Sequence, residues 1–529
     1  VATGAMIAEI KHYWNVGAQY SAFLRTPRVA DPVREIGQRR ANKRAVFLDL
    51  AKRAVFDRPE NPYHSLFAMA GCEYGDLVEM TEREGLDASL ERLYDAGVRL
   101  THAEFKGFEP IRRGGKEIPC ASTDFSNPLV KKGIVGSSSG SRSRGTPTRR
   151  GVEWMVQREA MTRYQLAAVG LEKHRHVGLL PMLPAFSGLT RTVIAARDGR
   201  AEAWFTLGGS LRDSWHYRAV TTLLILWVRL HGVRGAFPRY LAGDDFGPAA
   251  EYVAELNARG VPCIVDAIVS PGVRLADAAR AKGLDLSLTT FFLAGEALTN
   301  AKRAVITATG ATVLPTYIVS EIGLIGTACQ QMTTDNCVHV MDDGFSVFSR
   351  RRTAPLSDTE VDSLVFTSMY APGPYFLINV EMDDAGTLEP ARCDCGLTKL
   401  GYTTQLRNVF SYGKLTGQGT TLVGTDILRI LEEALPARFG GSPSDYQLVE
   451  MDGDAQSELE LRVHPRVGAV AVDDVHEYFL SQIKPLWGGA LTRREWKQTG
   501  GVRVVIAEPY ATKTGKVLAL HLMGLGGKK

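Results

Sequence analysis

Between residues 151 and 310 this chain alternates two apolar patterns, and that alternation limits its fold more than any other feature. Strand-like runs such as 261–265 (Val-Pro-Cys-Ile-Val) and 289–294 (Thr-Thr-Phe-Phe-Leu-Ala) take turns with helical stretches such as 249–259. Parallel strands need a long crossover between them, usually a helix, so the alternation predicts α/β layers with mostly parallel strands. Upstream, from residue 32 to about 113, the periodicity is helical: over 87–94, Leu90, Leu93 and Tyr94 share one helix face.

The pattern changes again after residue 407. Residues 411–419, Ser-Tyr-Gly-Lys-Leu-Thr-Gly-Gln-Gly, read as a linker. Beyond it, Thr425 caps a helix through Leu435, a hairpin-like pair spans 446–451 and 458–463, a helix covers 474–483, and a strand at 502–506 precedes a loop holding Lys516. A chain of 529 residues exceeds what one core supports. The expected organisation is a large N-terminal unit over 1–407, with a mostly helical leading segment over 1–113, and a small mobile α+β domain over 408–529.

Several function classes drop out. With 45% hydrophobic and 23% charged residues the composition is that of a globular protein. The longest apolar run, 219–228, includes two threonines, is closed by Arg229 and is too short for a bilayer, so no membrane partner is expected. Glu9, Lys11 and His12 interrupt the stretch where a signal peptide needs continuous apolar residues, which predicts a cytoplasmic protein. Basic stretches lie at 34–44 and 131–150, but the net charge is only +4 and neither an aromatic-studded RNA motif nor zinc-finger spacing accompanies them, so no nucleic-acid partner is expected. Of seven cysteines, Cys72, Cys120 and Cys263 are isolated and read as small buried residues; Cys329, Cys337, Cys393 and Cys395 group together.

The loop 136–148 reads Gly-Ser-Ser-Ser-Gly-Ser-Arg-Ser-Arg-Gly-Thr-Pro-Thr. Its Ser138, Ser139, Gly140, Ser141, Gly145 and Thr146 offer N–H groups and hydroxyls suited to a polyphosphate, and Arg144 adds a charged donor. Far downstream, Thr514, Gly515 and Lys516 could bring a mobile cation to the same phosphates. Between them, Gly295, Glu296 and Ala297 follow a predicted strand, 317–321 reads Tyr-Ile-Val-Ser-Glu, 377–384 ends in Asp383 and Asp384, and Arg407 follows. In this order the elements resemble the adenylate-forming superfamily of acyl-CoA ligases, adenylation domains and luciferases. Thr148 after Pro147, the run Val338, His339, Val340, Met341, Asp342, Asp343, and the run Cys393, Asp394, Cys395, Gly396 resemble the phenylacetate-CoA ligase branch and its acyl-protein synthetase relatives.

The resemblance implies ATP, Mg²⁺ and an acid substrate that is small and, by the branch, aromatic. The implied roles are adenine stacking for Tyr317 beside Gly295, Glu296 and Ala297, a phosphate contact for Ser320, a Mg²⁺ carboxylate for Glu321, ribose contacts for Asp384 and Arg407, and a catalytic cation for Lys516. Attack of the carboxylate on the α-phosphate would release pyrophosphate and leave an acyl-AMP; rotation of the small domain would then withdraw Lys516 and admit an acceptor. Coenzyme A is the expected acceptor, with a carrier-protein thiol, an amine, a protein cysteine, a non-carboxylate acid and a nucleotide-binding pseudoenzyme left open. Some members of the branch hold a structural zinc, which here implies Cys329 or Cys337 with His339, Cys393 and Cys395, against the alternative of reduced core cysteines. The acid pocket is expected between the strand end before Gly295 and residues 183–189, with Trp215 and His216 as candidates for its lining; a homodimer is left open. Departures from the pattern are two extra residues in the phosphate loop, Ile318 for a glycine, Val380 and Glu381 near the ribose aspartate, and Leu406, Arg407, Asn408, Val409, Phe410 at the hinge.

Overall fold

The computed structural model describes residues 2–137, 146–208, 211–243, 245–333, 336–353, 360–412, 416–417, 420–421, 424–451, 458–483, 502–512 and 515–523. Helices fill the leading segment, each started by local chemistry. Pro32–Ala41 begins where the Asp31 carboxylate accepts the Arg34 N–H, with Pro32 in the first turn. His102–Lys106 begins with a reciprocal cap: the Thr101 hydroxyl accepts from the Glu104 N–H at 3.2 Å and the Glu104 carboxylate accepts from the Thr101 N–H at 2.9 Å. That short helix ends on Lys106, which becomes important below.

A 12-stranded sheet organises the large unit. One half is parallel, in the spatial order Pro238–Ala242, Ala201–Gly208, Arg175–Leu179, Cys263–Ile268, Thr289–Ala294, Thr312–Val319. The chain enters in the middle at Arg175, winds outward to Pro238, returns to Cys263 and winds the other way. The order therefore reverses between Arg175–Leu179 and Cys263–Ile268, which opens a crevice at the carboxyl ends of those strands. The strand expected at 261–265 starts at Cys263, because Pro262 has no N–H for a central ladder. The other half, Gly323–Thr327, Val338–Val340, Thr404–Ser411, Val380–Pro390, Glu360–Ser368 and Phe345–Thr353, is antiparallel.

Each half has its own core. Val177, Val265, Phe291 and Leu293 of the parallel strands pack against Val253, Leu256 and Val273 of the crossover helices. The leading helices cover the antiparallel half, burying Phe47, Leu66, Phe67, Leu90 and Leu93 against Ile325, Phe366 and Val380. Glu381 stays on this structural side: it accepts a 2.8 Å hydrogen bond from the Tyr94 hydroxyl and pairs with Arg352. Helix Ala2–Arg25 packs with Val152–Ala168, Phe186–Arg197 and Leu211–Leu230 around Phe23, Leu189, Trp204 and Ile225. Outward, Ala2–Arg25 and Leu211–Leu230 leave Ile10, Trp14, Trp215, Leu223, Leu226, Trp227 and Leu230 exposed, with the Trp14 and Trp227 ring centroids 6.2 Å apart.

The strand Thr404–Ser411 runs past residue 407, pairing Ser411 with Asp384 before the chain leaves the large sheet. The C-terminal sheet has the order Val502–Ile506, Glu458–Val463, Tyr446–Met451, Leu520–Met523, and buries Leu448, Leu461 and Val504 against Val475, Phe479 and Leu480 of helix Val472–Ile483. The single helix expected from Thr425 to Leu435 is instead Gly424–Arg429, a π-helical turn Ile430–Ala434 and Leu435–Phe439. Pro436 gives the physical reason: it has no N–H to continue the regular ladder, and its ring displaces the carbonyl four residues earlier. This C-terminal part touches the large unit through Lys302–Glu432 at 2.8 Å, with both side chains buried, and Arg466–Asp277 at 3.9 Å.

Candidate active site

A cavity of about 690 Å³ opens at the strand-order reversal. Its walls include Leu180, Ala267, Ile268 and Ala294 at the ends of parallel strands, Gly295, Glu296 and Ala297 beyond them, and the run 316–324. Met382, Asp383 and Asp384 all face it although they are consecutive in one strand; Asp383 has φ +59, and that left-handed residue breaks the alternation of faces.

The carboxylate of Glu321, in the turn after Thr312–Val319, is 4% exposed and lies 2.9 Å from the Lys106 ammonium. Lys106 also donates to the Thr146 hydroxyl. Burial alone would favour the neutral acid, but Lys106 and Thr146 outweigh it and hold Glu321 below the usual carboxylate range. The Tyr317 hydroxyl donates to Asp384 at 2.7 Å, and burial together with that carboxylate raises the phenol well above its ordinary value. Ser320 lies on the same wall, and His102 Nδ1 is 3.1 Å from Asp383. Arg407 points elsewhere: its guanidinium is 3.1 Å from Glu389, while Val409, Phe410 and Ser411 line the cavity after Asn408, at φ +52, shifts the register.

Lys516 enters from the C-terminal part and lines the same cavity. Its Nζ lies 3.5 Å from where a side chain would begin at Gly295, so a larger residue there would crowd it. Gly515 makes the approach feasible: it has φ +87, and a Cβ on it would sit 2.8 Å from Leu207 Cδ1. Ser270 completes the docking. Its hydroxyl accepts from the Val517 N–H at 3.1 Å and donates to Glu296 at 2.7 Å, joining the lysine loop to the segment expected to hold adenine.

Ser138, Ser139, Gly140, Ser141, Arg144 and Gly145 lie outside the described residues; the described flanks Ile134–Ser137 and Pro147–Arg150 form a hairpin whose end, with Gly136, borders the cavity. Ala185, Phe186 and Ser187 line the cavity as expected of the acid pocket. Trp215 and His216 do not: Trp215 stands on the outer apolar face, since its helix turns only the opposite stripe inward, and His216 stacks on Tyr217 at 3.9 Å between centroids. Lys106, His102, Asp383 and Ser270 were absent from the sequence reading. Lys106 is 215 residues from Glu321, and no local pattern announces a pair at that separation.

Away from the cavity, Cys329, His339, Cys393 and Cys395 place their ligand atoms within 4.8 Å of one another; Cys337 is outside this group. The sulfur–sulfur distances are 3.8 Å for Cys329–Cys393 and 3.7 Å for Cys393–Cys395, and His339 Nε2 is 3.2 and 3.3 Å from Cys393 and Cys395. A tetrahedral zinc with bonds of about 2.0–2.3 Å has ligand–ligand edges of roughly 3.5–3.8 Å, so the donor set fits that ion. His339 Nδ1 lies 3.0 Å from the Tyr402 carbonyl, which fixes the N–H there and turns the Nε2 lone pair toward the sulfurs.

No protein-family model matches the chain, and no curated protein matches it. Among solved structures, 2-hydroxyisobutyryl-CoA ligase in its postadenylation state with R3-HIB-AMP aligns with a TM-score of 0.52 at 15% identity, covering 91% of this chain and 89% of that one. The same ligase with 2-HIB-AMP and CoA in its thioesterification state gives 0.48 at 16%, covering 92% and 90%. The first likeness shows the fold: this chain is folded as that adenylate-forming ligase is. Among the described residues no helix is long and apolar enough to cross a membrane.

Proposed function

We propose that this protein is an AMP-forming ligase that activates a carboxylic acid with ATP and passes the acyl group to coenzyme A. The observation that carries the reading is Lys516, brought from the C-terminal part into a cavity already lined by Glu321, Asp384 and Tyr317. ATP would lie with its adenine between Tyr317 and 295–297, its ribose at Asp384 and its phosphates toward Thr146, Ser320 and the loop 138–145. The acid would occupy the space between the helices Val152–Ala168 and Phe186–Arg197. Glu321 stays ionised next to Lys106 and is a hard oxygen ligand suited to Mg²⁺, which would neutralise phosphate charge. Lys516 would sit between the carboxylate and the α-phosphate as charge builds during attack, where a fixed cation is worth most. Residues 1–407 and 408–529 then act as two bodies, the second withdrawing Lys516 before the thiol of coenzyme A enters. The test is acid-dependent pyrophosphate release over a panel of acids, with thioester formation measured on adding coenzyme A. Pyrophosphate release independent of every acid would refute the reading.

The four-residue cysteine and histidine cluster would hold one structural zinc, a closed site with no open position for chemistry. The apolar face on Ala2–Arg25 and Leu211–Leu230 would be covered by a second copy. Its seven large side chains expose on the order of 800 Å² per copy, more than a monomer usually leaves bare and the size of a standard specific interface. A cytoplasmic setting fits the free thiols of this cluster.

A further inference from the structure

The inner end of the cavity holds more positive charge than the protein neutralises. Helix Val152–Ala168 turns Trp154, Arg158 and Met161 toward it, and helix Phe186–Arg197 turns Arg191 toward it. Arg191 donates to Asp266, whose other oxygen is 3.2 Å from His176 Nε2, so this acid already serves two partners. Arg158 has no hydrogen-bond or ion-pair partner among the described residues, and its charged neighbours are Arg191, Asp266 and Arg150. Arg150 stacks at 4.9 Å over the Trp154 ring, and its buried Nε is also without a partner.

Arginine does not shed its proton to escape such a setting, and an enclosed guanidinium without a counter-anion is costly. Here burial and the neighbouring Arg191 already push Arg158 down to about 10. The arrangement makes physical sense if an anion arrives with a ligand, since a guanidinium grips a carboxylate or phosphonate through two parallel hydrogen bonds. That anion is not the triphosphate. The nucleotide segments stand at and beyond the strand ends, from Gly295 and Tyr317 onward, whereas Arg158 also borders a recess of about 60 Å³ beside Ile264, Asp266 and Phe292, farther back along the same strands.

We infer that Arg158, supported by Arg150, receives a second anionic group of the substrate, at the end remote from the carboxyl that is adenylated, so that the preferred acid is a dicarboxylate or phosphono-carboxylate. This rests on the adenylation reading above. Trp154 and Met161 would wall the spacer between the two anionic ends.

The test pairs acids of one skeleton with one or two anionic groups: butyrate with succinate, valerate with glutarate, phenylacetate with 2-carboxyphenylacetate, and propionate with phosphonoacetate. Pyrophosphate release with MgATP is measured for the wild type and for Arg158→Met and Arg158→Lys. The wild type is expected to favour the doubly anionic partner in at least one pair by about tenfold or more in kcat/KM. Arg158→Met should raise KM for that partner on the order of 10- to 100-fold, leave the mono-acid unchanged, and be partly rescued by Arg158→Lys. Equal or better use of mono-acids by the wild type overturns the inference while leaving adenylation standing, and so does an equal loss on both acids in Arg158→Met. Release with no acid of either kind overturns the adenylation reading and this inference with it. The wild-type comparison decides the matter even where a variant fails to fold.

Discussion

Glu321 and Lys106 show how one pair of side chains sets the working range of the site. The folded-state pKa of Glu321 is depressed, so its ion pair contributes stability above the unfolded pKa and loses it as pH falls through the folded one. In Lys106→Met, burial acts without the opposing charge and the pKa rises. The acidic limb of the pH profile for pyrophosphate exchange should then move to higher pH, with the alkaline limb unchanged; an unmoved acidic limb would show that Glu321 does not titrate in the first step. Lys516→Ala should reduce acid-dependent pyrophosphate exchange by at least about 10²-fold, while transfer from a supplied acyl-AMP to coenzyme A stays within a few-fold of wild type. Equal losses in both half-reactions would point to damage in the small sheet. The sequence made Lys516, Glu321 and Tyr317 legible because each sits in a short motif of fixed order. Lys106 was not legible, since its role depends on a helix from the leading segment packing under a strand far along the chain.

At the level of elements, the loop carrying Lys516 is held by a single hydroxyl. Ser270→Ala removes the acceptor for the Val517 N–H and the donor to Glu296. Adenylation should fall roughly tenfold, with transfer from supplied acyl-AMP spared; loss of both steps would make Ser270 a packing residue only. The cysteine cluster joins the ends of three elements, and Cys393→Ser should lose the metal, read by zinc content, and lower the melting temperature by roughly 5 °C or more. Unchanged stability with no zinc in the wild type would leave reduced core cysteines. Short strands with clear turn signals, Thr289–Ala294, Tyr446–Met451, Glu458–Val463 and Val502–Ile506, were readable from the chain alone. The antiparallel half was not, because pairings such as Val338 with Leu406 are set by packing between distant segments and not by any local period. The choice between Cys329 and Cys337 had to wait for the same reason: eight positions apart in a loop, either could be placed near His339.

At the scale of the molecule, the outer face of Ala2–Arg25 and Leu211–Leu230 should govern association. Leu230→Glu, on the surface and away from the cavity, is expected to convert a dimer to a monomer by sedimentation at micromolar concentration without changing pyrophosphate exchange; a wild type that is already monomeric there would leave this face without the proposed role. The reversal of strand order has a separate consequence. Nucleotide contacts come from loops at the strand ends and from the antiparallel half, while the acid end is bounded by stripes of two helices that lie against the parallel half. The two recognition tasks are therefore separable parts of one scaffold. Rewriting positions 154, 157, 158 and 161 on one helix and 187, 190, 191 and 194 on the other would retarget the enzyme to new acids while its ATP chemistry stays in place, and a small combinatorial library needs to vary nothing else.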